Sequence, residues 1–302
     1  MLRRKFLAST LLAPMMSYEG PFGDHRKVAL FTDHLAGFQI KEVANMLNQL
    51  GVIGPDLTVR PGGLVDPRRA AEELPKAAKI FAERGLTIPM ITTAITSIRS
   101  PGCQAILSTA ARLGIRYYKL GYFGYQDLQQ WEKRLQIVSR QLQELVQLNR
   151  QLKIQAGFHN HAGPFLGGAL WDSWELLKFL DPSWIGFYFD PGQATIEGGK
   201  SAWELGFHRL STRLKMIAIK DFVWEKTDGI WQTRWVPLGQ GMVRWPAFFR
   251  LLSRMEFQGP LSLHIEYDPG GSTKSDRFDK SLQAAERDLN FLKNQLKLVT
   301  PA

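Results

Sequence analysis

Short apolar runs rich in β-branched and aromatic residues alternate along the chain with longer segments in which apolar residues recur every three or four positions. The first pattern is typical of buried strands, and the second of helices with one apolar face. The pattern predicts strands over residues 27–34, 56–60, 87–95, 116–123, 154–161, 185–190, 216–222 and 260–267. It predicts helices over residues 40–51, 66–85, 101–114, 126–152, 171–180, 203–214, 245–257 and 276–297.

Each of the eight predicted strands is followed by a helix, and this order predicts a parallel sheet with right-handed crossovers. Eight such units fit an α/β fold with a single closed (β/α)8 barrel over residues 25–297, followed by a tail at 298–302. An open doubly wound sheet is disfavoured, because no glycine-rich phosphate-binding motif follows the first strand and no P-loop sequence occurs.

Residues 1–24 differ from the rest of the chain and precede the predicted barrel. Arg3, Arg4 and Lys5 are followed by an apolar stretch over residues 6–16, which is the layout of an export signal. The adjacent arginines resemble a twin-arginine signal, which a receptor reads and which does not anchor the protein. The stretch is shorter than the ~20 residues that span a bilayer, so no stable membrane insertion is expected. We therefore expect a periplasmic or exported protein, and the alternative is an ordinary basic start on a cytoplasmic one.

Composition excludes several classes of protein. Hydrophobic residues make up 44% of the chain and charged residues 22%, which excludes disordered, collagen-like and coiled-coil chains. Cys103 is the single cysteine, so an intrachain disulfide and a cysteine-based zinc site are excluded. The formal net charge is +10, from 38 basic and 28 acidic residues. Because the basic residues are scattered without a long run, nucleic acid is not expected as a partner.

Polar side chains collect at the predicted carboxyl ends of the strands. Catalytic groups of a (β/α)8 barrel come from these ends, which meet at one face. Side chains alternate along a strand, so His159 and His161 share a face, as do His264 and Glu266. Each polar residue alone is compatible with a structural ion pair, but their number favours a functional site. The candidates are Arg60, Lys119, His159, Asn160, His161, Asp190, Lys220, Asp221, His264 and Glu266.

Aromatic residues at the same ends favour a carbohydrate ligand, because aromatic faces pack against the C–H surface of sugars. Packing in the core is the alternative for some of them. These residues are Phe31, Tyr122, Phe123, Tyr188, Trp224 and Tyr267. Glycine-rich segments at 60–63 and 197–199 either let a ligand approach the backbone or form tight turns. The segment 237–241 is expected to line the mouth of the barrel.

Seven segments carry a family resemblance. They are DLTVRPGG at 56–63, PMITTAI at 89–95, GFHNHAGPF at 157–165, FDPGQA at 189–194, IKDF at 219–222, PLGQGMVRWPAFF at 237–249 and LSLHIEYD at 261–268. They resemble the sugar phosphate isomerase/epimerase group of the xylose isomerase-like TIM barrels, and the first two are similar to an exported branch of that group. The resemblance covers residues 25–295 and implies a (β/α)8 barrel that acts on a small carbohydrate.

The resemblance also implies a divalent metal, held by Glu, Asp, His and Glu from strands five, six, seven and eight. Asp190 falls on the strand-six ligand and Glu266 on the strand-eight ligand. Ala218 stands at the position of the strand-seven histidine, and strand five offers His159 and His161 but no glutamate. A site of His159, Asp190 and Glu266 for Mn, Zn or Mg and a metal-free site are both compatible with these residues.

The expected reaction is proton abstraction next to the carbonyl of a sugar or keto-sugar, which gives an isomer or epimer. Glu266 or a strand-five histidine is the expected base, and nearby cations stabilise an enediolate oxygen. The expected catalytic residues are Glu266, His159 and Lys220. The expected substrate-binding residues are Arg60, Lys119, His161, Asn160, Trp224, His264 and Gln193.

Two other functions are compatible with the sequence, and a third is disfavoured. Elimination or hydrolysis of a 3-keto-glycoside starts from the same proton abstraction. A non-catalytic sugar-binding protein is consistent with the altered metal-ligand positions. A DNA-repair nuclease of the same superfamily is disfavoured, because its three-zinc site needs many histidines and carboxylates and the chain has only six histidines. The sequence makes no prediction about the oligomeric state.

Overall fold

Eight parallel strands close into a barrel, which confirms the predicted (β/α)8 architecture. The structure, a computed structural model, describes residues 28–125, 127–255 and 257–299. The strands in chain order are Val28–Phe31 (β1), Gly54–Val59 (β2), Met90–Thr93 (β3), Tyr117–Lys119 (β4), Gln155–His159 (β5), Ile185–Phe189 (β6), Leu214–Ile219 (β7), Asp221–Thr227 (β8), Ile230–Val236 (β9) and Leu261–Leu263 (β10). Around the barrel the order is β1–β10–β7–β6–β5–β4–β3–β2, and β8 and β9 form a separate pair.

Helices cover the outside of the barrel and bury their apolar faces against the strands. In the described ranges the α-helices are Ile40–Leu50 (α1), Ala70–Ala82 (α2), Cys103–Arg112 (α3), Trp131–Leu152 (α4), Leu170–Leu177 (α5), Pro191–Gly198 (α6), Ala202–Leu210 (α7), Trp245–Ser253 (α8) and Lys274–Val299 (α9). The sequence pattern misses α6. Its start is the Asp190–Pro191 pair, in which Asp190 accepts a hydrogen bond from the Gln193 N–H at 3.0 Å, as helix-capping residues do.

Several strands end earlier than the sequence pattern predicts. β5 ends at His159 and not at residue 161, and β10 ends at Leu263 and not at residue 267. The ladder reaches one position beyond β10, because the His264 N–H donates to the Ile219 carbonyl at 2.9 Å. The polar residues that follow therefore stand in loops at the mouth of the barrel.

An antiparallel hairpin that the sequence analysis does not predict follows β7. β8 pairs with β9 in continuous register, from Asp221 opposite Val236 to Thr227 opposite Ile230. The turn residues Asp228 and Gly229 have positive φ angles of 50° and 82°, as two-residue hairpin turns require. The predicted strand 216–222 therefore ends early, and Lys220 stands between the barrel strand and the hairpin.

A small apolar cluster fills the interior of the barrel beneath its polar mouth. It comprises Met90, Tyr188, Met216 and Ala218. Gly157 makes room for this cluster, because a Cβ atom there would lie 1.9 Å from Met216 Cε. The next inward-facing positions along β6 and β7 are Asp190 and Lys220, so charged groups lie directly above the apolar layer.

The helices in the part of the chain that the structure describes bear on membrane insertion. None of the helices there combines the length and the apolar character needed to cross a bilayer. The predicted export signal at 1–24 and residues 300–302 of the predicted tail lie outside the described residues.

Candidate active site

A cavity of about 530 Å³ opens at the carboxyl end of the barrel. Most of the predicted site residues lie on its wall, although they come from different strands. They are Arg60, Lys119, His159, His161, Lys220, His264 and Glu266. Asp190 is fully buried behind this wall and contacts His159 and Lys220. Alternation along the strands thus brings distant parts of the chain to one place.

Lys220 occupies the centre of the charged cluster. Its ammonium donates to Glu266 Oε1 at 2.8 Å and lies 3.2 Å from Asp190 Oδ2. Burial alone would lower the pKa of Lys220, but the two carboxylates raise it above its ordinary value. Burial likewise disfavours the charged forms of Asp190 and Glu266, but Lys220 holds the pKa of both below the ordinary range. The cluster therefore contains one ammonium and two carboxylates at neutral pH.

His159 is held as a neutral imidazole. Its Nε2 lies 3.3 Å from Asp190 Oδ2, and its Nδ1 lies 3.4 Å from the Tyr122 hydroxyl. Because a carboxylate only accepts hydrogen bonds, Nε2 carries the proton and Nδ1 accepts from Tyr122. Burial lowers the pKa of His159 to about 3, although the charge of Asp190 opposes the shift. Both ring nitrogens are engaged, so His159 orients Asp190.

His264 connects Glu266 to the interior of the barrel. Its Nδ1 lies 3.1 Å from Glu266 Oε1, and its Nε2 lies 3.0 Å from the Tyr188 hydroxyl. The imidazole stacks on the Phe31 ring with a centroid distance of 4.2 Å. Tyr188 in turn donates to Asp56 Oδ2 at 3.3 Å. Glu266 is therefore one end of a hydrogen-bonded chain that reaches a buried carboxyl group.

Asp56 is the buried carboxyl group at the other end, and the sequence analysis does not single it out. Thr92 and Ser262 each donate to it at 2.8 Å. Burial raises the pKa of Asp56, although His264 and the hydroxyl donors oppose the shift. Asp56 lies four positions before Arg60, so the two side chains face the same side of the strand, the barrel interior. This alternation is the sequence feature from which Asp56 could have been predicted as a site residue.

Lys119 has a different environment from Lys220. Its ammonium donates to the Leu120 carbonyl at 2.9 Å and lies 3.7 Å from the centroid of the Tyr122 ring. Burial, with the nearby charge of Arg60, lowers the pKa of Lys119 to about 7. Arg60 itself is paired with Asp33. The mouth therefore holds one lysine that stays charged and another that titrates near neutral pH.

His161 lines the cavity with one ring nitrogen unengaged. Its Nδ1 lies 2.7 Å from the Ala162 carbonyl oxygen, which can only accept, so Nδ1 carries the proton. Burial lowers the pKa of His161 and favours the neutral ring. Among the residues that the structure describes, Nε2 has no hydrogen-bond partner. His161 therefore has the protonation state of a base or a hydrogen-bond acceptor for a ligand.

Three predicted substrate-binding residues lie outside the cavity wall formed by the described residues. Asn160 donates to the Asp190 carbonyl at 2.9 Å and accepts from the Asp190 N–H at 2.8 Å. Gln193 accepts from the Ala162 N–H at 2.9 Å. Trp224 stands on β8, where it is 38% exposed and packs edge-on against Phe222. Asn160 and Gln193 therefore position the backbone around Asp190, and Trp224 belongs to the hairpin.

Asp221 organises the loop after the hairpin. Its carboxylate accepts hydrogen bonds from the backbone N–H groups of Gly239, Gly241 and Val243 and from the indole N–H of Trp245. A Cβ atom at Gly241 would lie 2.0 Å from Asp221 Oδ1, so this close approach requires glycine. The Asp221 carboxylate thus holds residues 237–243 in place. Of the two neighbours Lys220 and Asp221, it is Lys220 that lines the cavity.

The side chains at the mouth do not fit the divalent metal that the resemblance implies. Across the described ranges, no three His, Cys, Asp or Glu side chains are grouped so as to hold a metal ion. Asp190 and Glu266 both bind the Lys220 ammonium, and Ala218 offers no ligand atom. The predicted set of His159, Asp190 and Glu266 therefore does not form a metal site in this arrangement.

The fold and the site define the class of protein, a closed (β/α)8 barrel with a polar pocket at its carboxyl face. A family model described as xylose isomerase-like TIM barrel matches residues 48–295. The chain belongs to the xylose isomerase-like TIM barrel family, which confirms the predicted family. Its place in an exported branch stays a prediction.

Comparison with known proteins gives sequence relatives and structural neighbours. Inosose dehydratase from Mesomycoplasma hyopneumoniae strain J is 26% identical over 158 residues, which are 48% of this chain and 49% of the relative. The chain thus aligns with about half the length of the curated relatives it matches. A xylose isomerase-like protein from Mycobacterium smegmatis in complex with magnesium has a TM-score of 0.64 at 16% identity, covering 90% of this chain and 97% of the other. The 3-keto-D-glucoside 4-epimerase from E. coli has a TM-score of 0.65 at 14% identity, covering 89% and 99%. These two likenesses establish the fold.

Proposed function

We propose that this protein is a sugar-modifying enzyme that removes a proton next to the carbonyl group of a keto-sugar or keto-polyol. The observation that carries the proposal is the position of Glu266, on the wall of a cavity of about 530 Å³. Its Oε1 is fixed by Lys220 and His264. Its Oε2 has no hydrogen-bond partner within the described part of the chain. One carboxylate oxygen is thus oriented by the protein and the other is left for the substrate.

Glu266 is the proposed base. Its side chain is 27% exposed, so a ligand in the cavity can reach it, and its lowered pKa keeps it ionised at neutral pH. A carboxylate removes a proton from carbon efficiently when the enolate that forms is stabilised at the same time. Once Glu266 holds the abstracted proton, it can return that proton to the substrate or give it to a leaving hydroxyl group. His161, whose Nε2 is unprotonated and unengaged, is the proposed hydrogen-bond acceptor for a substrate hydroxyl group.

Cationic groups are proposed to stabilise the enolate oxygen. Lys220 supplies a permanent positive charge at the cavity wall, and His159 acts indirectly by orienting Asp190. Lys119, whose pKa is about 7, donates a proton or a hydrogen bond to the same oxygen as its charge develops. Arg60 lies at the rim of the cavity, where a hydroxyl-rich ligand meets it.

One enolate intermediate leads to different products. Reprotonation at the same carbon on the opposite face gives an epimer, and transfer of the proton to the neighbouring carbon gives an isomer. Loss of a hydroxyl group from the adjacent carbon gives a dehydrated product. Dehydration is the second candidate because the curated relatives are inosose dehydratases. Whether the enolate is reprotonated or loses water depends on which protein groups reach the leaving hydroxyl group.

The test is turnover of a panel of ketohexoses, keto-inositols and 3-keto-glucosides, with products identified by NMR. We expect at least one class to be converted, and the conversion to be lost in Glu266→Gln. A panel member that binds in calorimetry while no member is converted would contradict the proposal and favour the sugar-binding alternative.

We also propose that residues 1–24 direct export of the protein. The support is the order of charged and apolar residues there, with Arg3 and Arg4 directly before the apolar stretch. A periplasmic location is compatible with a carbohydrate substrate and excludes DNA as a natural one.

A further inference from the structure

Three neighbouring strands bring one lysine and two carboxylates together. β7 lies between β6 and β10 in the barrel. Lys220 follows β7, Asp190 follows β6, and Glu266 stands three positions after β10. The middle strand thus places an ammonium in the gap between the carboxylates of its two neighbours, 3.2 Å from Asp190 Oδ2 and 2.8 Å from Glu266 Oε1.

A divalent metal would need the same carboxylate oxygens. Mg²⁺ and Zn²⁺ bind oxygen at about 2.0–2.2 Å and require several ligands. Here Asp190 Oδ2 also accepts from His159, and Asp190 Oδ1 accepts from the Gln193 N–H at the start of α6. Glu266 Oε1 also accepts from His264. An ion at this place would meet a like charge and ligand atoms that are already engaged.

The walls around Lys220 fit an ammonium better than a hydrated metal. Ala218 is two positions before Lys220 and faces the same side of β7, where its methyl group belongs to the apolar interior cluster. The Lys220 ammonium lies 4.4 Å from the centroid of the Trp235 ring, which is a favourable cation–π distance. Its side chain is 3% exposed, so the charge is enclosed by its partners.

We propose that the Lys220 ammonium is the resident cation of this site, and that it takes the place of a divalent metal between Asp190 and Glu266. The site then operates without a bound metal. The inference deepens the proposed function, since it identifies a protein ammonium, in place of a metal ion, as the positive charge beside the proposed base. Its tests measure metal binding and thermal stability, so they give an answer whether or not a substrate is turned over.

The first test uses the wild-type full-length protein, treated with a chelator and then equilibrated with Mn²⁺, Mg²⁺ or Zn²⁺. We expect elemental analysis after gel filtration to find no ion bound at this site, and the Tm to be unchanged by each ion. Binding of about one equivalent of Mn²⁺ that Asp190→Asn or Glu266→Gln abolishes would overturn the proposal. Binding that both variants retain lies elsewhere in the chain and agrees with it.

The second test removes the ammonium. In Lys220→Ala and Lys220→Gln the two carboxylates lose their cation, so we expect Mn²⁺ to bind at least about tenfold more tightly than to the wild type and to raise the Tm. Lys76→Ala, which breaks an exposed ion pair with Glu72, is the control and is expected to gain no affinity. Lys220 variants that gain no affinity for Mn²⁺ would overturn the proposal. If Lys220→Ala does not fold, Lys220→Gln and the wild-type measurement decide the question.

Discussion

The Lys220 ammonium donates a hydrogen bond to Glu266 Oε1 at 2.8 Å, although the two residues are 46 positions apart in the chain. The same oxygen lies 3.1 Å from His264 Nδ1. Two donors from different strands therefore fix one oxygen of the proposed base and set the direction of the other. The pair also places a charge that is 3% exposed beside a carboxylate that is 27% exposed, so the substrate meets the carboxylate side of the pair.

Removing this ammonium is expected to destabilise the fold. Lys220→Met leaves Asp190 and Glu266 without their cation, and breaking a buried ion pair by removing one partner costs about 3–5 kcal/mol. We expect a loss of that order in the free energy of unfolding by urea at neutral pH, and a smaller loss in acid, where the carboxylates become protonated. Lys76→Met, which removes an exposed partner of Glu72, is the control. Equal losses in the two variants would show that the pair adds no stability.

Lys119 is expected to make stability depend on pH. Burial, with the charge of Arg60, lowers its pKa from the ordinary 10.5 to about 7. Between these values the unfolded chain binds more protons than the folded protein, so this group's contribution to stability rises with pH and is least favourable below about pH 7.

Lys119→Met removes that contribution. We measure the free energy of unfolding by urea for the variant and the wild type. We expect the difference in favour of the variant to be largest below about pH 7 and smallest near about pH 10. Lys76→Met, whose side chain in the wild type is 64% exposed, serves as the control for loss of a surface lysine. A difference between Lys119→Met and wild type that is constant over this range would contradict the lowered pKa.

Much of the architecture was predictable because a barrel repeats one simple pattern. The eight barrel strands follow from apolar runs between amphipathic segments, and alternation places His159, Lys220 and Glu266 at one mouth. The ends of the elements were less predictable. A polar residue after an apolar run looks the same in sequence whether the strand continues through it or ends before it, as β10 ends at Leu263.

Other features depend on contacts that no local pattern encodes. The hairpin of β8 and β9 has a clear turn at Asp228–Gly229. However, only one residue lies between the end of the apolar strand β7 and the start of β8, so the sequence pattern does not separate the two strands. The link from Glu266 through His264 and Tyr188 to Asp56 joins strands far apart in the chain. The sequence does not predict which carboxylate oxygens already accept hydrogen bonds from other side chains. Those hydrogen bonds determine whether the carboxylates can bind a metal ion.

The interior of the barrel is expected to be intolerant of an added methyl group at Gly157. A Cβ atom there would lie 1.9 Å from Met216 Cε and 3.0 Å from Tyr188 Cβ. Overpacking of this kind costs about 1–3 kcal/mol, so we expect Gly157→Ala to lower the free energy of unfolding by that amount. In Met216→Ala the same Gly157→Ala change should cost less, because the obstructing side chain is absent. Equal costs in the two backgrounds would show that the methionine does not limit the space.

The export proposal has a direct test in the two arginines. We expect the full-length protein, expressed in a bacterium with a twin-arginine pathway, to appear in the periplasmic fraction, and Arg3→Lys/Arg4→Lys to remain in the cytoplasm. The variant keeps the positive charge and changes only the residues that the receptor reads. Cytoplasmic retention of the unchanged protein would contradict the proposal.

Exchange of substrate hydrogen with solvent tests proton abstraction most directly. The protein, freed of metal by a chelator, is incubated in D₂O with keto-inositols, ketohexoses and 3-keto-glucosides, and proton NMR follows the signal of the C–H group next to the carbonyl. We expect enzyme-dependent loss of that signal for at least one class, slowed by about 10²–10⁴-fold in Glu266→Gln. No exchange with any of them, or equal exchange in wild type and Glu266→Gln, would contradict the assignment of Glu266 as the base in this barrel.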